Sequence, residues 1–533
     1  MSAQPLDAII VGAGFSGLYM LHRLRHRGFN AKMLEAADGV GGTWYWNRYP
    51  GARCDIESMQ YSYQFNEDLQ QEWAWKERYA AQPDILSYIE HVAERFDLKR
   101  DIQFRTRVRT ATFDEEANHW RVQTEVGQQF TARFLILAVG CLSTAIAPSF
   151  PGQSDFEQPL YHTGRWPHEP VDFTGKTVGV IGTGSSAVQC IPVIAEVVRH
   201  LFVFQRTPNY VVPAQNRTLS AGEVEQVKRD YAGFRAMAKQ RMNAFVFPFH
   251  PESALSVSAE ERQKRFDEQW LVGGLPFLGA FGDLLTNTEA NAAATAYCKE
   301  KIREIVANPG VAELLTPKDH VFGCKRLCSG TNYYETFNRE NVTLVDVSGD
   351  KAIERFTATG LRAGGRDYSL DAIILATGFD AMTGSVTRIG ITGRNGATIQ
   401  DRWRDGPSNY LGVAVHGFPN MFNMVGVGGP SVLATMVTCS EQHGDWIADL
   451  IGHMRERGIA RFEPRAEAEA AWGGEVAAAA GRSLRSSCNS WYLGSNVEGK
   501  PRVFMPYIGG FPKYVETCNR EAANSYPGLS FSA

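Results

Sequence analysis

The sequence predicts an α/β fold: two Rossmann-like dinucleotide-binding domains with a mostly helical insertion. Three observations carry this. A strand, glycine turn, helix and strand follow one another near the N-terminus; the same order returns about 170 residues later; and a polar, helix-favouring stretch follows the second copy.

The first unit begins with the buried-strand pattern of residues 6–11 (LDAIIV). Gly12, Gly14 and Gly17 follow in G-x-G-x-x-G spacing, then Leu18, Leu21 and Leu24 at helical spacing, and Gly28 closes the helix. Each glycine has its reason. Gly12 permits the tight turn, Gly14 lets backbone approach a pyrophosphate, and Gly17 lets helix and strand pack closely. The helix N-terminus then offers free N–H groups and a positive dipole end to phosphate. The next strand, 31–34, ends at Glu35, where a carboxylate can accept from ribose hydroxyls.

The second unit has a strand at 177–181, the turn Gly182-Thr183-Gly184-Ser185-Ser186-Ala187, a helix over 188–197 and a strand at 201–205. Ala187 is an allowed variant of the third glycine. This strand ends at Arg206-Thr207 instead of an acid. A guanidinium can fork onto a 2′-phosphate, which points to NADPH here and leaves FAD for the first unit. One resident flavin and one arriving reductant suggest an electron relay.

The pattern divides the chain into a first part of the FAD domain (1–141), a first part of the NADP domain (142–212), the helical insertion (213–321), a second NADP part (322–378) and a second FAD part (379–533). A length of 533 residues accommodates this. With 44% hydrophobic and 21% charged residues, the chain can bury large cores. Lys and Arg number 54 against 58 Asp and Glu, a net −4, which argues against nucleic acid or an anionic membrane as partner. The N-terminus lacks the basic start and cleavage site of a secretory leader. The longest nearly apolar run, 134–147, is shorter than the ~20 residues that span a bilayer. Nine cysteines, none in a C-x-x-C pair, read as ordinary thiols of a reduced, cytoplasmic chain, with no metal site. Cys324 and Cys328, in C-x-x-x-C spacing, match neither a redox pair nor a zinc pair.

Several flavin families share two such units. Disulfide reductases need a C-x-x-C pair, which this chain lacks. Gly41-Gly42-Thr43-Trp44, then Tyr49-Pro50-Gly51, then Asp55, resembles the G-G-x-W-x-x-x-x-Y-P-G-x-x-x-D signature of Baeyer–Villiger monooxygenases. Between the units, Phe156, His162, Trp166 and Pro167 are similar to that family's fingerprint F-x-G-x-x-x-H-x-x-x-W-P. Gln158 stands where the pattern has Gly, so any positive φ would cost more there. The likeness runs over nearly the whole chain, including Lys325-Arg326, Ala376-Thr377-Gly378-Phe379-Asp380 and Ser490-Trp491-Tyr492. It looks most like the type I branch, near the phenylacetone and steroid monooxygenases.

The resemblance implies FAD- and NADPH-dependent conversion of a ketone and O2 to an ester or lactone, through a flavin C4a-peroxide and a tetrahedral adduct. Arg326 would stabilise the anionic stages, a task for a cation that does not deprotonate. Asp55 would hold Arg326. Gly42, Thr43, Trp44 and Tyr49 fall to the flavin side, and Thr183, Ser185 and Ser186 to the NADP turn. Lys325 would join Arg206 and Thr207 at the 2′-phosphate. His162 and Trp166 would brace the linker and couple NADP binding to closure. Trp491 would meet the nicotinamide, and Ser431, Val432 and Leu433 would shape the ketone pocket. The expected active form is a monomer. The rival readings are an N- or S-oxygenating flavin enzyme and a non-enzymatic NADP-sensing module.

Overall fold

The computed structural model describes residues 6–247 and 249–533; residues 1–5, part of the segment read as lacking a leader, lie outside the described residues. Two sheets dominate. The first runs, in order across the sheet, Gly390–Thr392, Val108–Asp114, His119–Thr124, Gln129–Leu137, Leu6–Val11 (β1), Ala31–Leu34 (β2) and Ile102–Gln103. Met421–Asn423 also pairs with Gln129–Leu137. This sheet takes strands from both ends of the chain. The second sheet is all parallel: Val342–Asp346, His200–Gln205, Thr177–Ile181 (β3), Ala372–Leu375 and Leu160–His162.

The helix after β1, Phe15–His26 (α1), buries Leu18, Leu21 and Leu24 completely. Each such leucine contributes roughly 1.5–3 kcal/mol over an exposed one. The helix after β3 is Ser185–Ala195 (α2). The long helix Met436–Glu456 (α3) lies against α1, with the Ser16 and Ser440 hydroxyls 2.7 Å apart and Tyr19 donating to Asp445 at 2.7 Å. A C-terminal element thus clamps the N-terminal dinucleotide unit.

Helices fill much of the predicted insertion: Ala221–Arg229, Tyr231–Lys239, Ala259–Val272, Thr288–Ile305 and Pro309–Leu315. Their starts follow local chemistry. Ser220 and Glu223 form a capping box, and Asp230, Ser258, Asn287 and Asn308 accept from the first-turn N–H groups of the other four.

Two features depart from the sequence reading. A three-stranded antiparallel sheet spans Ile353–Thr357, Gly360–Ala363 and Arg366–Ser369. The Gly364-Gly365 pair turns its second hairpin with both φ positive, 56° and 75°, a signal present in the sequence and not read there. The cysteines are also not all free: Cys324 and Cys488 form a disulfide, while seven others are buried thiols. Sequence spacing could not find this pair, because the partners are 164 residues apart. No helix among the described residues is long and apolar enough to cross a membrane.

Candidate active site

Both glycine turns open into one cavity of about 2020 Å³. A single drug-sized ligand occupies roughly 300–1,000 Å³, so the space suits two dinucleotides and a smaller substrate. At the first turn Gly12 has φ 103°, and a Cβ there would meet the Ala138 carbonyl at 2.6 Å. At the second, Gly182 has φ 112°, and a Cβ would meet the Ala376 carbonyl at 2.5 Å. Gly14 and Gly184 cap α1 and α2 with no side-chain hydrogen bond, leaving the first N–H groups to a ligand. These two cradles fit the phosphates of FAD and NADP. Gly17 does not line the cavity; it packs against Gly12 behind the turn.

Glu35 is 5% exposed. Its carboxylate lines the cavity and accepts from the backbone N–H of Ala13 (2.6 Å) and Ala37 (2.8 Å). It therefore braces the glycine turn as well as facing the ligand space. Burial pushes its pKa up, against those two hydrogen bonds. Gly42, Thr43, Trp44 and Tyr49 line the same cavity. Trp44 Nε1 donates to the Tyr61 hydroxyl at 3.2 Å. Tyr49 donates to Gln189 Oε1 at 2.8 Å and so ties the first unit to α2 of the second.

On the second side, Thr183, Ser185, Ser186, Arg206 and Thr207 all line the cavity. Thr183 is pinned to the strand end by its hydroxyl, which donates to the Thr207 carbonyl at 2.9 Å. Arg206 is exposed. Lys325 sits 3.7 Å from Asp319. Burial lowers the pKa of its ammonium, Asp319 opposes this, and Arg206 lowers it further by repulsion. The two cations face one space, as a doubly charged phosphate requires.

Arg326 is the best-held cation of the cavity. Its Nε donates to Asp55 Oδ2 at 2.7 Å and its Nη2 to Asp55 Oδ1 at 2.8 Å, a bidentate fork. Nη1 donates to the Val432 carbonyl at 2.8 Å. Both charged side chains are 22% exposed. Burial works against the guanidinium charge, and Asp55 more than offsets it, holding the pKa above the ordinary arginine value.

The remaining predicted residues divide. Val432 and Trp491 line the cavity. Ser431 and Leu433 do not: Ser431 is fully buried, its hydroxyl donating to the Val425 carbonyl at 3.1 Å, and Leu433 joins an apolar cluster. In the linker, Trp166 lines the cavity, while Phe156, His162 and Pro167 stand behind it. Phe156 packs edge-on to Phe356, ring centres 5.8 Å apart. Both His162 ring nitrogens are engaged, Nε2 with the Ile146 carbonyl at 2.9 Å and Nδ1 accepting from the Gly164 N–H at 2.9 Å. Burial lowers its pKa, so the ring is neutral at pH 7. Gln158 is not among the described residues with positive φ; Gly152 has that conformation, at 70°. The departure from the family pattern therefore carries no backbone cost.

Sequence reasoning missed the Val432 carbonyl, the disulfide beside Arg326 and the role of Asp319. It also missed Lys500, which pairs with Asp380 at 2.7 Å and donates to the Ala381 carbonyl at 2.6 Å. Lys500 lies in the string Gly499-Lys500-Pro501-Arg502, and nothing local points to its partner Asp380, 120 residues away.

Comparison with known proteins adds a family. The family profile described as "Pyridine nucleotide-disulphide oxidoreductase" matches residues 9–208, which contain both glycine turns. The "Acetone monooxygenase (methyl acetate-forming)" of Gordonia sp. (strain TY-5) is 41% identical, over 100% of both chains. A "Baeyer-Villiger monooxygenase" of Pseudooceanicola batsensis is 41% identical over 98% of this chain and 96% of its own. "Phenazine N-monooxygenase PhzNO1" of Lysobacter antibioticus is 40% identical over the same shares. Among solved structures, "Oxidized steroid monooxygenase bound to NADP" superposes with a TM-score of 0.95 at 51% identity, and an OTEMO complex with FAD and NADP with 0.96 at 39%; each covers 99% of both chains.

Proposed function

The chain belongs to the Baeyer–Villiger monooxygenase family, and we propose that Arg326, held by Asp55 and the Val432 carbonyl, is the group around which it converts a ketone to an ester or lactone. The protein is an NADPH-dependent flavoprotein monooxygenase. The balanced reaction is ketone + O2 + NADPH + H⁺ → ester + NADP⁺ + H2O. The chemistry a bound FAD would supply in this cavity is acceptance of hydride from NADPH and activation of O2.

The chain's own residues do the rest. Gly12, Gly14 and Glu35 seat the flavin nucleotide; Gly182, Gly184, Thr183, Arg206, Thr207 and Lys325 seat NADP. A guanidinium has five N–H groups, and three of those on Arg326 are engaged by Asp55 and Val432. The others remain to face an oxygen that gains negative charge in the cavity that both glycine turns share. Asp55 fixes the fork and keeps it charged. His162 and Trp166 act as linker braces, and Val432 contributes to ketone selection. Both nucleotide units and Arg326 come from one chain, which supports a monomer as the active unit.

The single observation that carries this reading is the bidentate Arg326–Asp55 pair in the cavity shared by both glycine turns. The test is Arg326→Ala. NADPH should still bleach the flavin, while ester formation falls at least about a hundredfold. Ester at the wild-type rate would remove Arg326 from the mechanism. The N-monooxygenase relative keeps N- or S-oxygenation as the second reading, so a ketone, an amine and a sulfide are assayed side by side. Enzyme relatives spanning the whole chain overturn the NADP-sensing alternative.

A further inference from the structure

The Cys324–Cys488 disulfide lies where two cavity-lining segments meet. Cys324 is two residues before Arg326, and Cys488 three before Trp491. Lys325 and Arg326 on one side, and Asn489, Ser490 and Trp491 on the other, line the cavity. The two cysteines have Cα atoms 6.3 Å apart and are buried, Cys324 completely.

The segment after Cys488 is fixed at both ends, and its middle is held at Tyr492, which is fully buried and whose carbonyl accepts from the Met505 N–H at 2.9 Å. Its far end is held by Lys500 on Asp380 and by Asn496 Nδ2, which donates to the Phe379 carbonyl at 2.7 Å. Its near end is held by the disulfide. Between them, Ser490 is 3% exposed, and its hydroxyl has no hydrogen-bond partner in the protein. A buried hydroxyl at a cavity wall without a partner points to a ligand as its partner. Tyr492, just beyond, is fully buried, and Arg485 Nη1 donates to its hydroxyl at 3.2 Å. The strap and the Arg326 segment therefore form one wall of the site, and the disulfide is its covalent joint.

We propose that the Cys324–Cys488 bond is a positioning element for oxygen insertion: it fixes Ser490 and Trp491 relative to Arg326, so that reduced enzyme consumes NADPH and O2 without delivering oxygen to the ketone. This rests on the function proposed above. Uncoupled turnover balances as NADPH + H⁺ + O2 → NADP⁺ + H2O2. Opening the bond takes two electrons and two protons from an added dithiol, which becomes its own disulfide.

The experiment compares oxidised wild type, wild type reduced by a dithiol, and Cys488→Ala, all as flavin-loaded enzyme. Mass spectrometry after alkylation without reductant should find Cys324 and Cys488 in one crosslinked peptide. Flavin content should be equal in all three, and NADPH should still bleach the flavin in each. Ester per NADPH should fall about tenfold in the reduced and variant enzymes, with H2O2 rising to match, because a displacement of about 1 Å can cost that or more. Reoxidation should restore coupling in wild type and not in Cys488→Ala. A merely structural bond would lower melting temperature and leave ester per NADPH unchanged. If Cys488→Ala does not fold, the reduced wild type supplies the comparison, and if the native bond resists the dithiol, the variant does. Free thiols at both positions in the untreated enzyme, or unchanged coupling without the bond, would overturn the proposal. No ester from wild type with any ketone would overturn the functional reading, and this inference with it; ester at unchanged coupling overturns this inference alone.

Discussion

At the first turn Gly12 has φ 103° and Gly14 caps α1 at φ −85°, ψ −170°; at the second Gly182 has φ 112° and Gly184 caps α2 at φ −80°, ψ −174°. The backbones are nearly the same, and the surroundings are not. The first turn is followed by Glu35, 5% exposed and bonded to two backbone N–H groups, and its helix is covered by α3. The second is followed by Arg206, which is exposed, and its helix begins with exposed Ser185. One device, two settings: an enclosed cradle suits a cofactor that stays, and an open one suits a cofactor that comes and goes.

Matched substitutions should separate the two with the largest effects. Alanine at a φ near 100° costs about 1–3 kcal/mol in strain, before its Cβ meets the facing carbonyl. Gly12→Ala should give a colourless protein on purification. Gly182→Ala should stay yellow and bleach poorly with NADPH. Equal loss of colour in both would show that the turns are not assigned to separate cofactors.

Arg206→Ala comes next. Losing one charge-assisted contact to the 2′-phosphate costs about 1.5–3 kcal/mol, roughly ten- to a hundredfold. KM for NADPH should rise by that factor and KM for NADH should hardly move. Equal change for both coenzymes would place Arg206 away from the phosphate.

The enclosure of the first unit has a pH signature. Glu441 on α3 accepts from the Gln64 and Phe65 N–H groups, and burial pushes its pKa from 4.5 up to about 7. A raised carboxyl pKa means the folded chain binds the proton more tightly. The stability it contributes is therefore present below pH 4.5 and declines as pH rises towards 7. Glu441→Gln should flatten that part of the denaturation-midpoint profile. An unchanged slope would show that Glu441 is ionised throughout.

The smallest effect tests the joint between the units. Tyr49→Phe removes the hydroxyl that donates to Gln189, worth about 1 kcal/mol. The urea midpoint should fall accordingly while flavin colour persists. Loss of flavin instead would make Tyr49 a direct cofactor contact.

Much of this was legible in the chain itself. The strands 6–11, 31–34 and 177–181 fall where the pattern placed them, because short buried strands and their glycine turns are written in consecutive residues. The Arg326–Asp55 pairing was legible only through family resemblance, since 271 residues separate the partners. The three-stranded sheet at 353–369 was missed because its strands are only four or five residues long and the two outer ones are mostly polar and exposed, leaving too short an apolar run to read.

The sequence by itself determined the two turns, their helices and the contrast between Glu35 and Arg206, because each depends on neighbours a few residues away. Only the tertiary structure decided that Val432 holds Arg326 through its carbonyl and not its side chain, that Ser431 and Leu433 turn from the cavity, and that Cys324 meets Cys488. A backbone carbonyl has no residue identity to read, and contacts across a hundred or more residues are set by packing the two sheets around one cavity.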